Sequence, residues 1–414
     1  YKYIYSSVSP YISPYQHGFV QKRSTVSNLG CFTQYTSEII DNKGQVDTIY
    51  MDISKAFDQI DHILLISKLK AYGFSVQMVL FFQAYLSKRE LRVRYRNFYS
   101  KPFYPTSGVP QGSNLGPLLF LIYINDMVDE ISCKKLLFAD DLKLFYEIKN
   151  EEDCVILQNN INYISDMCAK NRLTLNKDKC YVVTYTKKHN QLTFPYEVSG
   201  KCLARKDSIR DLGVIFDSKF TFVEHIYDII EKAIKMYGFV YRSCRDFTNI
   251  KALNNLYYTL IRSRLEYGSI IWYPLYDSHI INIESVQRKY LKFLSYCLDG
   301  HYPERGSDHR NLLQRFGFRT LEVRRKVALV KFLYKLLHNK IDCPELLHYI
   351  NFLVPRCNAR KSLTFYSSHV RTNVLLKSPI MLMTGVCNSV SQDCDVYADS
   401  FTRILKVMYK KFCP

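Results

Sequence analysis

The chain has 414 residues, of which 47% are hydrophobic and 23% are charged. This length exceeds the roughly 250–300 residues that one core usually serves and indicates two or more folded domains. Its 57 basic and 38 acidic side chains give a net charge of +19, which indicates an anionic partner, either nucleic acid or an acidic membrane surface. The longest apolar stretches, such as residues 117–124, fall far short of the roughly 20 residues that cross a bilayer, so we expect no membrane span.

The chain begins inside a Tyr- and Ser-rich segment without the features of a signal peptide, and we expect it to be the cut end of a longer protein. A β-rich run over residues 46–51 then ends at Asp52. Residues 54–58 then lead into a helical pattern through Leu64, Leu65 and Leu69. The order strand, turn, helix therefore places a carboxylate at the end of an apolar strand.

The next part of the chain predicts a hairpin, a turn and a helix. Residues 88–104 are basic and aromatic and alternate like a hairpin. Residues 107–112 contain two glycines and a proline, which favour a turn. The apolar run over residues 117–127 predicts a helix.

A second carboxylate site follows in a short hairpin over residues 136–145, which has Asp140 and Asp141 at its bend. Residues 154–170 show the spacing of an amphipathic helix, and residues 179–186 predict another strand. Strands and helices of this kind predict the α+β class.

After residue 214 the pattern changes to long helical periodicity. Apolar positions three and four apart occur over residues 224–246, 249–265, 280–296 and 320–338. These helices predict a separate helical domain, and the tail from residue 351 predicts irregular structure with turns.

The last 114 residues carry much of the positive charge. Residues 301–414 hold nineteen Lys or Arg and eight Asp or Glu, and the difference is +11. This region could bind a polyanion, or its charges could be solvated faces that keep the protein soluble.

Three carboxylates beside apolar strands are costly, because each loses hydration and like charges repel at close range. Two Mg²⁺ ions, roughly 3.5–4 Å apart, would compensate and would support an in-line phosphoryl displacement. Asp140 and Asp141 alone are more often a solvated hairpin bend. Their occurrence after Asp52 and the turn at residues 107–112 favours the metal site.

Taken together, these residues resemble the motifs of the non-LTR (LINE-type, jockey-like) retrotransposon reverse transcriptases. The matching segments are Gln16-His17-Gly18-Phe19 with Arg23-Ser24-Thr25, Met51 to Asp58, Ser107 to Ser113 with Asn125-Asp126, Phe138-Ala139-Asp140-Asp141, Leu173 to Asn176 with Lys179, and Asp211-Leu212-Gly213-Val214. They occur in family order from about Tyr15 to about Phe293, and an ordered set is far more specific than any single motif.

The resemblance implies an α+β right-hand polymerase. The expected parts are partial fingers over residues 1–45, a palm with a fingers insertion and an antiparallel sheet over 46–218, a helical thumb over 219–300, and a basic, mostly helical C-terminal region over 301–414. In the family a longer fingers segment precedes Gln16, so the resemblance predicts a chain that is truncated at its N-terminus and extends primers poorly alone.

The resemblance also implies roles for single residues. Asp52 and Asp140 should bind both metal ions (Mg²⁺, or alternatively Mn²⁺) beside Ile53, and Asp141 should be the weaker or outer ligand. The implied nucleotide contacts are Phe57 beneath the sugar, Gln111 and Gly112 along the minor groove, and Lys22 and Arg23 at the triphosphate. Lys179 is the implied proton donor to the leaving pyrophosphate. Gly213 and the thumb side chains Arg242, Arg245, Arg262, Arg264, Arg288 and Lys289 should contact template and primer.

Some of these residues also have ordinary explanations. Spacing alone favours Phe57 as a core aromatic at the exit of a strand. An exposed lysine such as Lys179 is usually only solvated, and each thumb arginine is as well explained by a solvated rim as by a phosphate contact.

The function implied is RNA-directed DNA polymerisation, with an RNA template, a DNA primer or target, and deoxynucleoside triphosphates. The reaction would take place inside the cell, in the nucleus for target-primed synthesis and in the cytoplasm for an RNA–protein particle.

A decayed fragment that only binds nucleic acid is the alternative hypothesis. A group II intron maturase or a telomerase-type polymerase would share the metals, but residues 54–57 and 113–117 fit the retrotransposon pattern better.

Overall fold

The computed structural model of the chain describes residues 1–304, 306–354 and 363–412. These residues form two compact units, one of residues 1–28 with 44–207 and the other of residues 29–43 with those from 208 onward. Both helices and a sheet are present, which confirms the α+β class. The bounds of fingers, palm, thumb and C-terminal region remain a prediction.

The first unit holds the sheet. Its helices are α1 (Lys2–Val8), the start of α2 (Thr25–Asp41), α3 (His62–Ala71), α4 (Val76–Leu86), α5 (Gly116–Ile124) and α6 (Glu151–Lys170). Its strands are β1 (Gln45–Met51), β2 (Arg94–Tyr95), β3 (Phe98–Tyr99), β4 (Lys134–Phe138), β5 (Asp141–Glu147), β6 (Tyr181–Thr186), β7 (Glu197–Val198), β8 (Lys201–Cys202) and β9 (Ala204–Arg205).

Five strands form the main sheet, in the order β4-β5-β1-β6-β9. All neighbours are antiparallel except β6 and β9, which are parallel. All seven residues of the central strand β1 are buried, as expected for a strand that has a partner on both sides and carries its apolar side chains into a core. The end of β1 is therefore a fixed point of the unit.

Local sequence signals explain the helices that pack on this sheet. α5 is buried along almost its whole length, because its sequence is apolar on every face. α6 begins three residues before the predicted helix, since Asn150 and Asp153 form a capping box. Asp61 caps α3 through a 2.9 Å bond from the Leu64 amide. The predictions of helices at 117–127 and 154–170 are thus confirmed.

The second unit is mostly helical, as predicted. After a two-stranded hairpin of β10 (Ser208–Asp211) and β11 (Val214–Asp217), it contains α7 (Val223–Ser243), α8 (Ile250–Leu256), α9 (Ser263–Glu266), α10 (Asp277–Asp299), α11 (His309–Phe316), α12 (Leu321–Leu337), α13 (Pro344–His348), α14 (Asn373–Leu376), α15 (Pro379–Val390) and α16 (Phe401–Phe412). A π-helical turn over Tyr257–Arg262 joins α8 to α9, so the predicted helix over 249–265 is continuous.

The prediction of an irregular tail from residue 351 is wrong. α15 and α16 occupy much of the tail, and α15 packs against α12. The buried Ile380, Met383 and Cys387 of α15 repeat at helical spacing. Gly385 and three polar residues of the same helix weaken that signal, and packing overrides the weak intrinsic preference. None of the helices in the described residues is both long and apolar enough to cross a bilayer.

Candidate functional site

The three predicted metal-binding carboxylates meet at one end of two neighbouring strands. Asp52 follows the last residue of β1, Asp140 lies in the two-residue turn between β4 and β5, and Asp141 is the first residue of β5. Met51 pairs with Leu142, so one further step of the antiparallel register sets Asp52 opposite Asp141. The structure therefore brings these carboxylates together from positions that are far apart in sequence.

The charges at this end of the sheet are only partly solvated. Asp52 and Asp140 are half-buried and Asp141 is exposed. Burial, and then the negative charge of Asp52, raise the pKa of Asp140. The Lys179 ammonium lies 3.4 Å from Asp52 Oδ2 and acts on the Asp140 pKa in the opposite direction. Repulsion between the carboxylates is the kind of cost that a bound cation removes.

The residues present suit Mg²⁺. Within residues 1–304, 306–354 and 363–412, no group of three or more His, Cys, Asp or Glu side chains is placed so that it could hold a metal ion. Mg²⁺ does not need such a group, because it is usually bound through one or two carboxylates together with substrate phosphates and retained waters. Asp52 and Asp140 supply oxygen ligands of that kind, half-buried at a strand end.

A second segment fixes the backbone of Asp52 and Ile53. The Asp52 carbonyl accepts a 2.8 Å hydrogen bond from Asn176, and the Thr174 carbonyl accepts one of 2.8 Å from Ser54. Ile53 is buried and forms an isolated bridge with Leu175. The motif at residues 173–176 thus supports the first carboxylate, and it leads directly to Lys179.

The segment Tyr15–Gly18 holds the turn that carries Asp140. The side-chain oxygen of Gln16 accepts hydrogen bonds from the amides of Ala139 (2.9 Å) and Gly18 (2.8 Å), and its Nε2 donates to the Ala139 carbonyl (3.3 Å). Ala139 has φ +56°, an uncommon conformation for a residue with a side chain. The buried carboxamide of Gln16 therefore stabilises a strained turn next to Asp140.

Gly18 allows this close approach. A Cβ on Gly18 would lie 2.3 Å from the Ala139 amide nitrogen and 2.9 Å from the Phe138 carbonyl carbon. Backbone atoms of the hairpin cannot move aside as a flexible side chain could. Sequence reasoning matched Gln16 and Gly18 to a motif but gave them no role, because their partner lies more than 120 residues away.

The buried ring of His17 predicts a sensitivity of this segment to acid. Burial, and then the charges of Arg23 and Lys143, lower the pKa of His17 from 6.5 to about 3. Below pH 6.5 the unfolded chain binds more protons than the folded one, so stability falls as the pH drops from 6.5 towards 3. From pH 7.5 to pH 5.5 we expect a loss of about 1.4 kcal/mol in the free energy of unfolding from this residue.

Urea unfolding at the two pH values, on the protein and on His17→Asn, measures that loss. The variant should be less pH-dependent by about the same amount. If both proteins lose equal stability on acidification, His17 is not responsible.

The predicted sugar contact Phe57 lies at the surface of the core. Its ring stacks on Phe120 at 4.3 Å between centroids and meets Phe19 edge-on at 6.1 Å. One side of the ring packs and the residue stays half-exposed. The structure therefore gives Phe57 a packing role and leaves part of it available.

The turn at residues 107–112 also packs on the segment after Asp52. Gln111 is exposed and donates a 2.9 Å hydrogen bond to Asp58. Gly112 has φ +79°, and nothing lies within 4 Å of the place that a Cβ would take. The backbone at Gly112 thus borders open space.

The two predicted triphosphate contacts differ. Lys22 is exposed. Arg23 Nη1 donates to the carbonyls of Ser13, Pro14 and Gln16 at 2.9–3.2 Å. Arg23 therefore braces the chain that leads into the Gln16 segment.

The predicted nucleic-acid contacts of the second unit are mostly exposed side chains. Gly213 (φ +89°) lies in the β10–β11 turn, and the Tyr267 hydroxyl donates a 2.8 Å bond to the neighbouring Leu212 carbonyl. Five of the six basic side chains are exposed, namely Arg242, Arg245, Arg264, Arg288 and Lys289. Arg262 is mostly covered, lying over the Tyr258 ring at 3.8 Å.

Comparisons with known proteins cover most of the chain. The family model described as reverse transcriptase (RNA-dependent DNA polymerase) matches residues 2–216. The probable RNA-directed DNA polymerase from transposon BS of Drosophila melanogaster is 29% identical over 311 residues, which are 72% of this chain and 34% of that protein. The RNA-directed DNA polymerase from mobile element jockey of the same fly is 26% identical over 301 residues, 70% of this chain and 32% of that protein.

The chain thus spans about a third of the length of the curated relatives it matches. Among solved structures, apo telomerase from Candida tropicalis aligns with a TM-score of 0.43 and 10% identity, over 99% of this chain and 60% of that one.

Proposed function

Because the chain belongs to the reverse transcriptase (RNA-dependent DNA polymerase) family, as its ordered motifs predicted, we propose that it carries the polymerase activity of a non-LTR retrotransposon. The reaction is the extension of a primer 3′ end by deoxynucleotides on an RNA template. The observation that carries this proposal is that Asp52, Asp140 and Asp141 meet at one end of the sheet, where Gln16 holds the turn that contains Asp140. That arrangement supports the proposal because phosphoryl transfer by bound metal ions needs oxygen ligands close together.

Two Mg²⁺ ions bound there would activate the attacking 3′-hydroxyl and neutralise the leaving phosphates. Asp52 and Asp140 would hold both ions with the backbone of Ile53 nearby, and Asp141, which is exposed, would be an outer ligand. Lys179, whose ammonium lies 3.4 Å from Asp52 Oδ2, would donate a proton to the leaving pyrophosphate.

The incoming nucleotide would lie between the carboxylates and the turn at residues 107–112. The half-exposed ring of Phe57 would contact the sugar, and Gln111 and Gly112 would face the minor groove. Lys22 is the freely exposed cation of its motif and would meet the triphosphate. Arg23, which braces residues 13–16, would support Lys22.

Template and primer would be held in part by the second unit. Its exposed cations, Arg242, Arg245, Arg264, Arg288 and Lys289, would neutralise phosphates, with Gly213 at a close backbone approach. We further propose the setting that the resemblance to non-LTR retrotransposon enzymes implies, with synthesis at a chromosomal primer in the nucleus and an RNA–protein particle in the cytoplasm.

Primer extension tests the proposed reaction directly. The purified chain is given an RNA template with an annealed DNA primer, Mg²⁺ and deoxynucleoside triphosphates, and products are resolved by length. We expect template-directed extension that requires Mg²⁺. Tight binding of template–primer without extension would support the alternative, a fragment that only binds nucleic acid.

Phe57→Val tests the position of the sugar. Removing the ring should open space beneath the ribose, so use of ribonucleotides relative to deoxynucleotides should rise by roughly tenfold to hundredfold. Single-nucleotide incorporation with each substrate, compared as ratios of kcat/KM, measures this selectivity.

The matched control is Phe74→Val, because Phe74 is also a half-buried aromatic packed on the core of the same unit. It should lose stability but keep the ratio. A Phe57→Val enzyme with unchanged selectivity would leave Phe57 as a packing residue.

A further inference from the structure

The hairpin over residues 88–104, named here the aromatic hairpin, exposes large apolar rings to solvent. Tyr95 is 69% exposed, Phe98 is 78% and Tyr99 is 61%. Large apolar side chains that cluster on a surface mark a place where something binds. The roles proposed above for the metal and nucleotide site use none of these rings.

The same hairpin is strongly basic. Its six basic residues (Lys88, Arg89, Arg92, Arg94, Arg96 and Lys101) against the single acidic Glu90 give a net charge of +5. The Arg94 guanidinium lies 5.7 Å from the Tyr99 ring centroid, and that of Arg96 lies 5.5 Å from the Tyr95 ring. Cations interleaved with exposed rings suit a partner that offers both negative charge and flat apolar faces.

The hairpin consists of two paired strands and has two different faces. β2 pairs with β3, with Tyr95 opposite Phe98 and Arg94 opposite Tyr99. Because residues opposite each other share a face, Tyr95 and Phe98 form an aromatic face and Arg94 lies on the other. Nearer the base of the hairpin, Leu91 bridges Phe103. Tyr95 and Phe98 are therefore presented together on a paired backbone, and Tyr99 shares the face of Arg94.

The base of the hairpin is tied to the turn that carries Gln111 and Gly112. Arg89 Nη2 donates a 3.0 Å hydrogen bond to the Gly108 carbonyl, and His62 Nε2 lies 2.8 Å from the same oxygen. The Ser107 hydroxyl donates to the Asp58 carbonyl at 2.8 Å. The base of the hairpin thus adjoins the turn of the proposed nucleotide site.

We propose that the aromatic hairpin binds the single-stranded RNA template ahead of the nucleotide site. This inference rests on the proposed function, since the unpaired template is the single strand that the reaction supplies. Tyr95 and Phe98 would stack on bases, and Arg94 and Lys101 would contact phosphates. Unpaired bases have exposed π-faces whereas paired bases do not, so the aromatic face distinguishes single strand from duplex.

The test compares two template–primers that share one duplex. One has a single unpaired template nucleotide, and the other has a 12-nucleotide unpaired RNA overhang. Fluorescence anisotropy gives the affinity of the full chain for each, and the ratio is the contribution of the overhang. Tyr95→Ala/Phe98→Ala should reduce that contribution by at least about tenfold, because base–aromatic stacking contributes about 1–3 kcal/mol per base.

A matched control replaces two exposed tyrosines of the same unit. Tyr3→Ala/Tyr11→Ala removes rings that are 91% and 65% exposed and should leave the overhang contribution unchanged. Extension by one nucleotide on the short-overhang substrate should also be unchanged in the hairpin variant.

A second variant keeps the rings, which guards against a folding defect. Arg94→Gln/Lys101→Gln should make overhang binding less dependent on salt, by about 0.7 in the slope of log affinity against log salt for each phosphate that the variant no longer neutralises.

Three results would overturn the inference. The first is an overhang contribution to affinity that survives in both hairpin variants. The second is an equal loss of that contribution in the Tyr3→Ala/Tyr11→Ala control. The third is binding to phosphatidylserine vesicles that depends on the hairpin while RNA binding does not. A DNA overhang that binds tenfold tighter than RNA would overturn the assignment to the template. If the wild-type chain fails to extend either substrate, the proposed function fails, but the overhang contribution still decides the role of the hairpin.

Discussion

Asp140→Asn is expected to reduce nucleotide incorporation by several orders of magnitude and to leave the affinity for template–primer nearly unchanged. The amide has the shape of the carboxyl but lacks the charge that would hold a cation beside Asp52. Duplex affinity depends instead on phosphate contacts that this substitution does not touch. Single-turnover incorporation and anisotropy binding, measured on one preparation, separate the two quantities.

The control for that experiment is Asp129→Asn, an exposed aspartate of the same unit. It should incorporate nucleotides as the wild-type chain does. Asp140→Asn should also be at least as stable as the wild-type chain, because burial and the charge of Asp52 raise the pKa of Asp140 and the amide removes that repulsion. Near-normal incorporation by Asp140→Asn would refute the assignment of the metal site.

Gly18→Ala is expected to disable the site without changing any group that contacts substrate. The new Cβ would lie 2.3 Å from the Ala139 backbone nitrogen, so the turn before Asp140 must shift. A misplacement of about 1 Å can cost roughly a hundredfold in rate, and overpacking typically costs about 1–3 kcal/mol in stability. We expect a fall in kcat of about a hundredfold, with little change in the affinity for template–primer.

Gly385→Ala provides the matched control. Gly385 is exposed in α15, and nothing lies within 4 Å of the position that its new methyl group would take. The same substitution there should leave activity unchanged and stabilise the helix by up to about 1 kcal/mol. Full activity of Gly18→Ala, with wild-type stability, would show that the close approach to the turn is not needed.

Much of the first unit could be predicted because its signals are local. The apolar run that ends at Asp52 forms β1, the hairpin around Asp140 forms β4 and β5, and α6 follows its 3.6-residue period. The ordered motifs then related these pieces to one family. That Asp52 and Asp140 meet at one sheet end follows from strand order, which no single segment encodes.

The parts that could not be predicted depend on distant partners. Nothing in residues 15–18 shows that the Gln16 carboxamide bonds to Ala139, more than 120 residues later. Arg23 looked like a free cation, yet it binds the carbonyls of Ser13 and Gln16. α15 has a broken apolar pattern and folds because it packs on α12.

The pairing of Gln16 with β4 also affects whether shorter fragments of the chain aggregate. β4 is one of the two edge strands of the main sheet, and an unpaired edge strand is a template for aggregation. Here Leu137 donates to the Tyr15 carbonyl and accepts from the His17 amide, both at 2.9 Å. Fragments cut after residue 18 would leave the outer edge of β4 open, so they should precipitate or form oligomers during purification, and any fragment made for crystallisation should begin before Tyr15.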